Sequence, residues 1–135
     1  KIRERLSGCV ICEQLDGALN RYAYTIAQLY GTNAEFKQML DASKGFCLPH
    51  LALVLDMAQK TLPAAQADAF SKAVAAVELP NLKRLSDELE WFTLKYDFRN
   101  ADKPWGNSRD AVERSINKLM GACVGDEAKM PAHND

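Results

Sequence analysis

The stretch that decides the fold runs over residues 45–55 and reads GFCLPHLALVL. Its apolar residues Leu51 and Leu55 lie four apart, which places them on one face of a helix. Pro49 suits the first turn of a helix, where a backbone N–H is not needed. Gly45 is expected to adopt a left-handed conformation that ends the preceding helix. The stretch therefore predicts a helix start that follows a glycine turn.

Upstream of this stretch, the spacing of apolar residues predicts two further helices. The first is long and stops near Gly31. The second is short, with Thr32 and Glu35 as a capping box at its start and Asn33 as an alternative cap. The expected inward face of the long helix consists of Ile11, Leu15, Leu19, Tyr22, Ile26 and Leu29.

Downstream, the pattern is again helical, and Pro80 either separates two helices or kinks one longer helix. The last helix is expected to begin near Asn107 or Ser108, after a loop over Phe98–Gly106. Its apolar face would contain Val112, Ile116, Leu119 and Cys123.

No run alternates with the period of a half-buried strand, so we expect an all-α fold, a single-domain bundle of five or six helices. Residues 1–124 would form the bundle, and residues 125–135 would form a flexible C-terminal tail, because that segment is small and polar.

Composition excludes some classes of function. The 135 residues include 17 Lys and Arg against 18 Asp and Glu, a formal net charge of −1. A nucleic-acid-binding domain usually carries a basic excess, so we expect no nucleic-acid partner. No apolar run approaches the ~18 residues of a membrane span. The expected partner is therefore an unidentified protein or a small-molecule ligand.

Two pairs of closely spaced residues are candidate metal ligands. Cys9 and Cys12 form one, Cys47 and His50 form the other, and together they read Cys-x2-Cys-x34-Cys-x2-His. Three thiolates and one imidazole complete a tetrahedral zinc shell. Each pair lies at an expected helix start, where backbone N–H groups and the helix dipole favour a thiolate. The sequence thus predicts a zinc knuckle that joins the starts of the first and third helices.

Other chemistry fits the same residues. An iron–sulfur cluster for a redox or sensor protein is one alternative. A redox-active dithiol of Cys9 and Cys12 is another, although the βαβ setting of thioredoxin-like proteins is missing. Cys123 is expected to be a small buried residue, or a ligand in place of His50. Free thiols and thiolate ligands persist best in a reducing compartment, so we expect the protein to be cytoplasmic.

A second cluster of interest lies late in the chain, where Trp91, Lys95, Tyr96, Arg99 and Trp105 alternate aromatic rings with cations. Such residues can form a pocket for an anionic ligand, and this would be the substrate pocket if the protein is an enzyme. The same residues can instead close the end of the bundle. A closed metal shell has no open position for an activated water, so no catalytic residue is assigned.

Three motifs resemble an uncharacterised bacterial family of small helical proteins. They are the Cys9-Val10-Ile11-Cys12 start, the Gly-Phe-Cys-Leu-Pro-His block at residues 45–50, and a Phe-x-x-Lys-x-Asp signature at residues 92–97. The resemblance covers about residues 7–121 and departs at Val10, where the family often has proline. It implies metal ligation by the Cys and His pairs, and it implies no reaction.

Overall fold

The structure is a computed structural model that describes residues 9–121. Within this range it contains five α-helices and no strand, which confirms the all-α prediction. The helices are α1 (Val10–Thr32), α2 (Ala34–Asp41), α3 (Leu48–Thr61), α4 (Ala64–Leu94) and α5 (Ala111–Met120). Two 3₁₀ turns, Phe98–Asn100 and Gly106–Ser108, lie between α4 and α5. None of these helices is both long and apolar enough to cross a bilayer. Cys123 and the expected tail lie outside the described residues.

The junction between α1 and α2 uses the alternative cap. The Asn33 side chain accepts a hydrogen bond from the Phe36 N–H at 2.9 Å. The predicted capping role of Thr32 is wrong, because Thr32 is the last residue of α1 and its hydroxyl donates to the Gln28 carbonyl at 2.8 Å. An asparagine cap with extended backbone satisfies the exposed N–H groups at the start of α2 equally well.

Pro80 lies inside α4, so the single longer helix is the correct alternative and the predicted separation is wrong. A proline lacks the N–H of a normal helical turn, and its ring presses on a carbonyl one turn back. The Asn81 side chain donates to the Val77 carbonyl at 2.9 Å and adds a hydrogen bond in the affected turn. Residues buried on both sides of Pro80, such as Val74 and Leu85, keep the whole helix packed on the bundle.

The core forms where α1, α3 and α4 meet. Small residues let the helix backbones approach closely, and Ala27 and Ala58 are fully buried. Phe70 of α4 fills the centre, and its ring contacts Tyr30 edge-on at 5.0 Å between centroids. The predicted inward face of α1 is wrong over its first part, because Ile11 is 69% exposed. Leu15 and Tyr22 are also exposed.

The last helix docks by its polar face. The 3₁₀ turn occupies the expected start, and Ala111 is the first residue of α5. The predicted inward positions Val112, Ile116 and Leu119 are exposed, whereas Lys118 is 9% exposed. Periodicity identifies an apolar face correctly but cannot reveal that ion pairs, rather than apolar contacts, orient this helix against α4.

A buried carboxylate links three parts of the fold. Glu78 of α4 is 3% exposed, and its Oε2 forms an ion pair with Lys118 Nζ of α5 at 2.5 Å. This contact is not a directed hydrogen bond, and Oε2 has no hydrogen-bond donor among residues 9–121. Oε1 accepts the Phe46 N–H at 2.5 Å, and Lys118 also donates to the Lys44 carbonyl at 3.0 Å. Glu78 therefore fixes the connection between α2 and α3.

Gly45 makes this connection possible. Its φ of 73° confirms the expected left-handed conformation, although α2 ends earlier, at Asp41. A Cβ atom on Gly45 would overlap the Glu78 carboxylate. Gly106 has a similar φ of 57°, but a Cβ there would meet nothing within 4 Å. Both positions therefore have a left-handed backbone that would strain any other residue, and they differ in steric contact.

We expect Gly45→Ala to lower the free energy of unfolding by more than ~2 kcal/mol, because strain and overlap with a buried group add together. The matched control, Gly106→Ala, should cost only the ~1–2 kcal/mol of left-handed backbone. Urea denaturation of both variants measures the difference. Equal losses would contradict the tight approach of Gly45 to Glu78.

Candidate metal centre

The start of α3 brings one predicted pair of ligands together. Cys47 is the N-cap of α3, and its Sγ lies 3.1 Å from Nδ1 of His50. In a tetrahedral zinc site, the distance between a sulfur and a nitrogen ligand is about 3.6 Å, from the usual bond lengths of 2.3 and 2.0–2.1 Å. The spacing of this pair is thus within reach of shared ligation by small rotations of the side chains.

The start of α1 carries the other pair. Cys9 is the N-cap of α1, and its Sγ accepts a hydrogen bond from the Cys12 N–H at 3.3 Å. The hydrogen bond between the two thiols lowers the pKa of Cys9 and raises the pKa of Cys12. Both side chains are exposed and form no disulfide. Of the two thiols, Cys9 is the one whose thiolate this contact favours.

The two pairs remain separate in this structure. Within residues 9–121, no three Cys, His, Asp or Glu side chains lie close enough together to hold a metal ion. His50 lines a cavity of about 130 Å³ with Leu19 and Tyr22 of α1. Cys12 precedes Leu19 by two helical turns, about 10 Å along the helix axis. The structure thus shows two separate pairs of side chains, one at the start of α1 and one at the start of α3.

Cys9 and Cys12 lie on a part of α1 that no other described residue covers. Every residue from 9 to 16 is exposed, including the apolar Val10, Ile11 and Leu15. A helix end without buried side chains gains little stability from tertiary packing, so its first turns cost little to rearrange.

Cys47 has a neighbour, Gly121, that the sequence does not identify. Gly121 ends α5 in a left-handed conformation, with φ of 70°, and a Cβ atom there would lie 3.0 Å from Cys47 Sγ. A glycine after the last apolar residue of a helix is a recognisable C-terminal signal. Its proximity to Cys47 depends on how α5 docks, which the sequence does not reveal.

The late aromatic cluster is only partly assembled. Trp91 and Trp105 line one cavity of about 260 Å³, together with the acidic residues Asp87 and Glu88. Lys95, Tyr96 and Arg99 do not line it. Tyr96 is 76% exposed. Ligand binding at this cluster stays a prediction.

The two cations of the cluster, Arg99 and Lys95, contact groups of the chain itself. Arg99 forms an ion pair with Asp97 at 2.6 Å, and this contact lowers the pKa of the Asp97 carboxyl. Lys95 is 7% exposed, and its ammonium donates to the carbonyls of Asn100, Ala101 and Lys103 at 2.6–2.8 Å. An ammonium has three N–H donors, so these carbonyls use all of them. Lys95 thus organises the turn after α4.

Lys95→Met tests this role. The substitution keeps an unbranched side chain but removes the ammonium and leaves three carbonyls without their donor, so the free energy of unfolding should fall by about 2 kcal/mol or more. Lys103→Met is the matched control, because Lys103 is exposed and donates only to the Asn100 side chain among the described residues, so its loss should cost less than ~1 kcal/mol. Thermal or urea denaturation would contradict the assignment if the two variants were equally stable.

The comparisons with known proteins give a family and no activity. A family model described as a family of unknown function, DUF6062, matches residues 1–126. Neither the curated proteins nor the solved structures contain a match to this chain. The expected resemblance to an uncharacterised family is confirmed. The match adds no ligand, partner or reaction.

Proposed function

We propose that this chain, which belongs to the family of unknown function DUF6062, is a metal-binding helical module in which Cys9, Cys12, Cys47 and His50 share one zinc ion. The observation that carries the proposal is the 3.1 Å contact between Cys47 Sγ and His50 Nδ1 at a helix start. The second pair occupies the equivalent position on α1, at the N-cap and the first turn.

The exposed first turns of α1 supply the movement that the proposal needs. His50 already lines a cavity with the middle of α1, and residues 9–16 are exposed, so within residues 9–121 little packing would resist their displacement toward it. Closing a metal shell in small zinc-binding peptides yields ~10–16 kcal/mol, far more than rearranging two exposed helical turns costs. The ion would then tie α1 to α3.

The donor set favours zinc over other metals. Thiolate and imidazole ligands suit zinc, and four protein ligands leave no position for water or substrate. We therefore propose a structural ion and a binding role, with an unidentified protein or small ligand as partner. Exposed thiols such as Cys9 and Cys12 remain reduced in the cytoplasm, which is the location we propose.

Elemental analysis of the full chain, purified under reducing and anaerobic conditions, should give about one zinc per chain. His50→Ala should lose the zinc, whereas His133→Ala, which changes the other histidine, should retain it. Iron with visible absorption would instead support the cluster alternative. Zinc content that is equal in wild type and in His50→Ala would contradict the proposal.

A labelling experiment tests whether both pairs share the ion. Zinc should protect the Cys47 thiol from alkylation, as read out by peptide mass spectrometry. In Cys9→Ala this protection should be lost, although Cys9 lies on another helix. If Cys47 stays protected in Cys9→Ala, the pairs bind metal separately and the shared site is wrong.

A further inference from the structure

A cavity beside the connection between α2 and α3 is lined by several cationic side chains. It encloses about 180 Å³ between residues 44–47, α4 and α5. Its polar lining consists of the side chains of Lys44, Asn81, Arg84, Arg114, Asn117 and Lys118. This volume is below the roughly 300 Å³ at which sites for drug-sized ligands begin, so a small ligand fits it best.

The charges of the lining do not cancel. Glu88 contacts both Arg84 and Arg114, Asp110 contacts Arg114, and Glu78 contacts Lys118. Three carboxylates therefore oppose four cations, because Lys44 forms no ion pair with the described residues. Lys118 and Arg114 are largely buried, at 9% and 12% side-chain exposure, so their charges are weakly screened by solvent.

Several donors of the lining have no partner in residues 9–121. Arg84 uses Nη1 for both oxygens of Glu88, at 3.1 and 2.9 Å, and its Nε and Nη2 form no hydrogen bond there. Asn81 donates one amide N–H to the Val77 carbonyl and has a second N–H for another acceptor. Lys118 donates to the Lys44 carbonyl and forms an ion pair with Glu78, and no other described residue accepts a hydrogen bond from its three N–H groups.

We propose that this cavity binds a phosphate group, with Arg84 as the main recognition residue and with Lys44, Asn81 and Lys118 as further donors. The free edge of the Arg84 guanidinium matches two oxygens of an oxyanion in bidentate fashion. The remaining donors come from three other side chains, which suits the three or four oxygens of a phosphate better than the two of a carboxylate. The cavity also borders Cys47, a proposed zinc ligand, but its proposed phosphate donors Lys44, Asn81, Arg84 and Lys118 are not among the proposed zinc ligands.

Calorimetric titration of the full chain with inorganic phosphate, at constant ionic strength, tests the proposal. We expect saturable binding that Arg84→Gln weakens about tenfold or more, because a hydrogen bond to a charged group is lost. Glu88 keeps Arg114 as its partner in this variant, so the fold should persist, and circular dichroism checks this. Lys44→Gln removes an exposed cation that forms no ion pair within residues 9–121, and it should also weaken binding.

Lys83→Gln is the matched control, since it removes one positive charge from the neighbouring residue of α4. Lys83 pairs with Asp87 on the surface and does not line the cavity, so this variant should bind phosphate within about twofold of wild type. An equal loss in Lys83→Gln and Arg84→Gln would overturn the proposal, because nonspecific charge would then account for binding. The absence of saturable binding to wild type would also overturn it.

Two more ligands identify the source of the phosphate. Glycerol phosphate that binds more tightly than inorganic phosphate would support a phosphorylated metabolite, and the reverse order would support the free ion. Acetate that binds as tightly as phosphate would overturn the assignment to a phosphate group.

Discussion

The position of one pair of candidate metal ligands, Cys47 and His50, depends on a buried carboxylate. Glu78 lies in the middle of the longest helix and accepts the Phe46 N–H, immediately before Cys47. Its ion pair with Lys118 orients α5, and Lys118 in turn donates to the Lys44 carbonyl. A buried charge is costly unless it is paired and hydrogen-bonded, so these contacts hold together as a set.

This set of contacts also accounts for two features that otherwise look unfavourable. α5 turns its apolar residues Val112 and Ile116 outward because its polar side carries the partners of Glu78 and Glu88. Position 45 requires glycine because its backbone is left-handed and because any side chain there would collide with Glu78. The cavity with cationic walls is a further consequence, since the same cations surround the connection between α2 and α3.

Much of the fold could be predicted from the sequence, because it depends on signals between residues that are close together in the chain. Periodic apolar residues identify the helices, Pro49 marks the start of α3, and the left-handed Gly45 follows from the need for a turn. What could not be predicted depends on tertiary contacts. Pro80 stays inside α4 because buried residues on both sides keep the helix packed, and the docking face of α5 is set by ion pairs with a distant helix.

Of the candidate site, only the two local pairs of residues could be predicted from the sequence. A spacing of two residues at a helix start brings Cys47 and His50 together, and it does the same for Cys9 and Cys12, because each pair is local. Whether two pairs from distant helices share an ion is a long-range property, and within residues 9–121 the two pairs lie apart. The roles of Lys95 and Gly121 likewise depend on the folded chain, since their partners lie in the loop after α4 and at the start of α3.

A double-mutant cycle on Glu78 and Lys118 tests most directly whether the buried pair holds the fold together. Glu78→Gln and Lys118→Met should each lower the free energy of unfolding by about 3–5 kcal/mol, since each leaves a buried charge without its partner. The double variant should lose less than the sum of the two, by about 2 kcal/mol, because neither charge is then left alone. Losses that add within about 0.5 kcal/mol would show that the two residues act independently and would contradict the account.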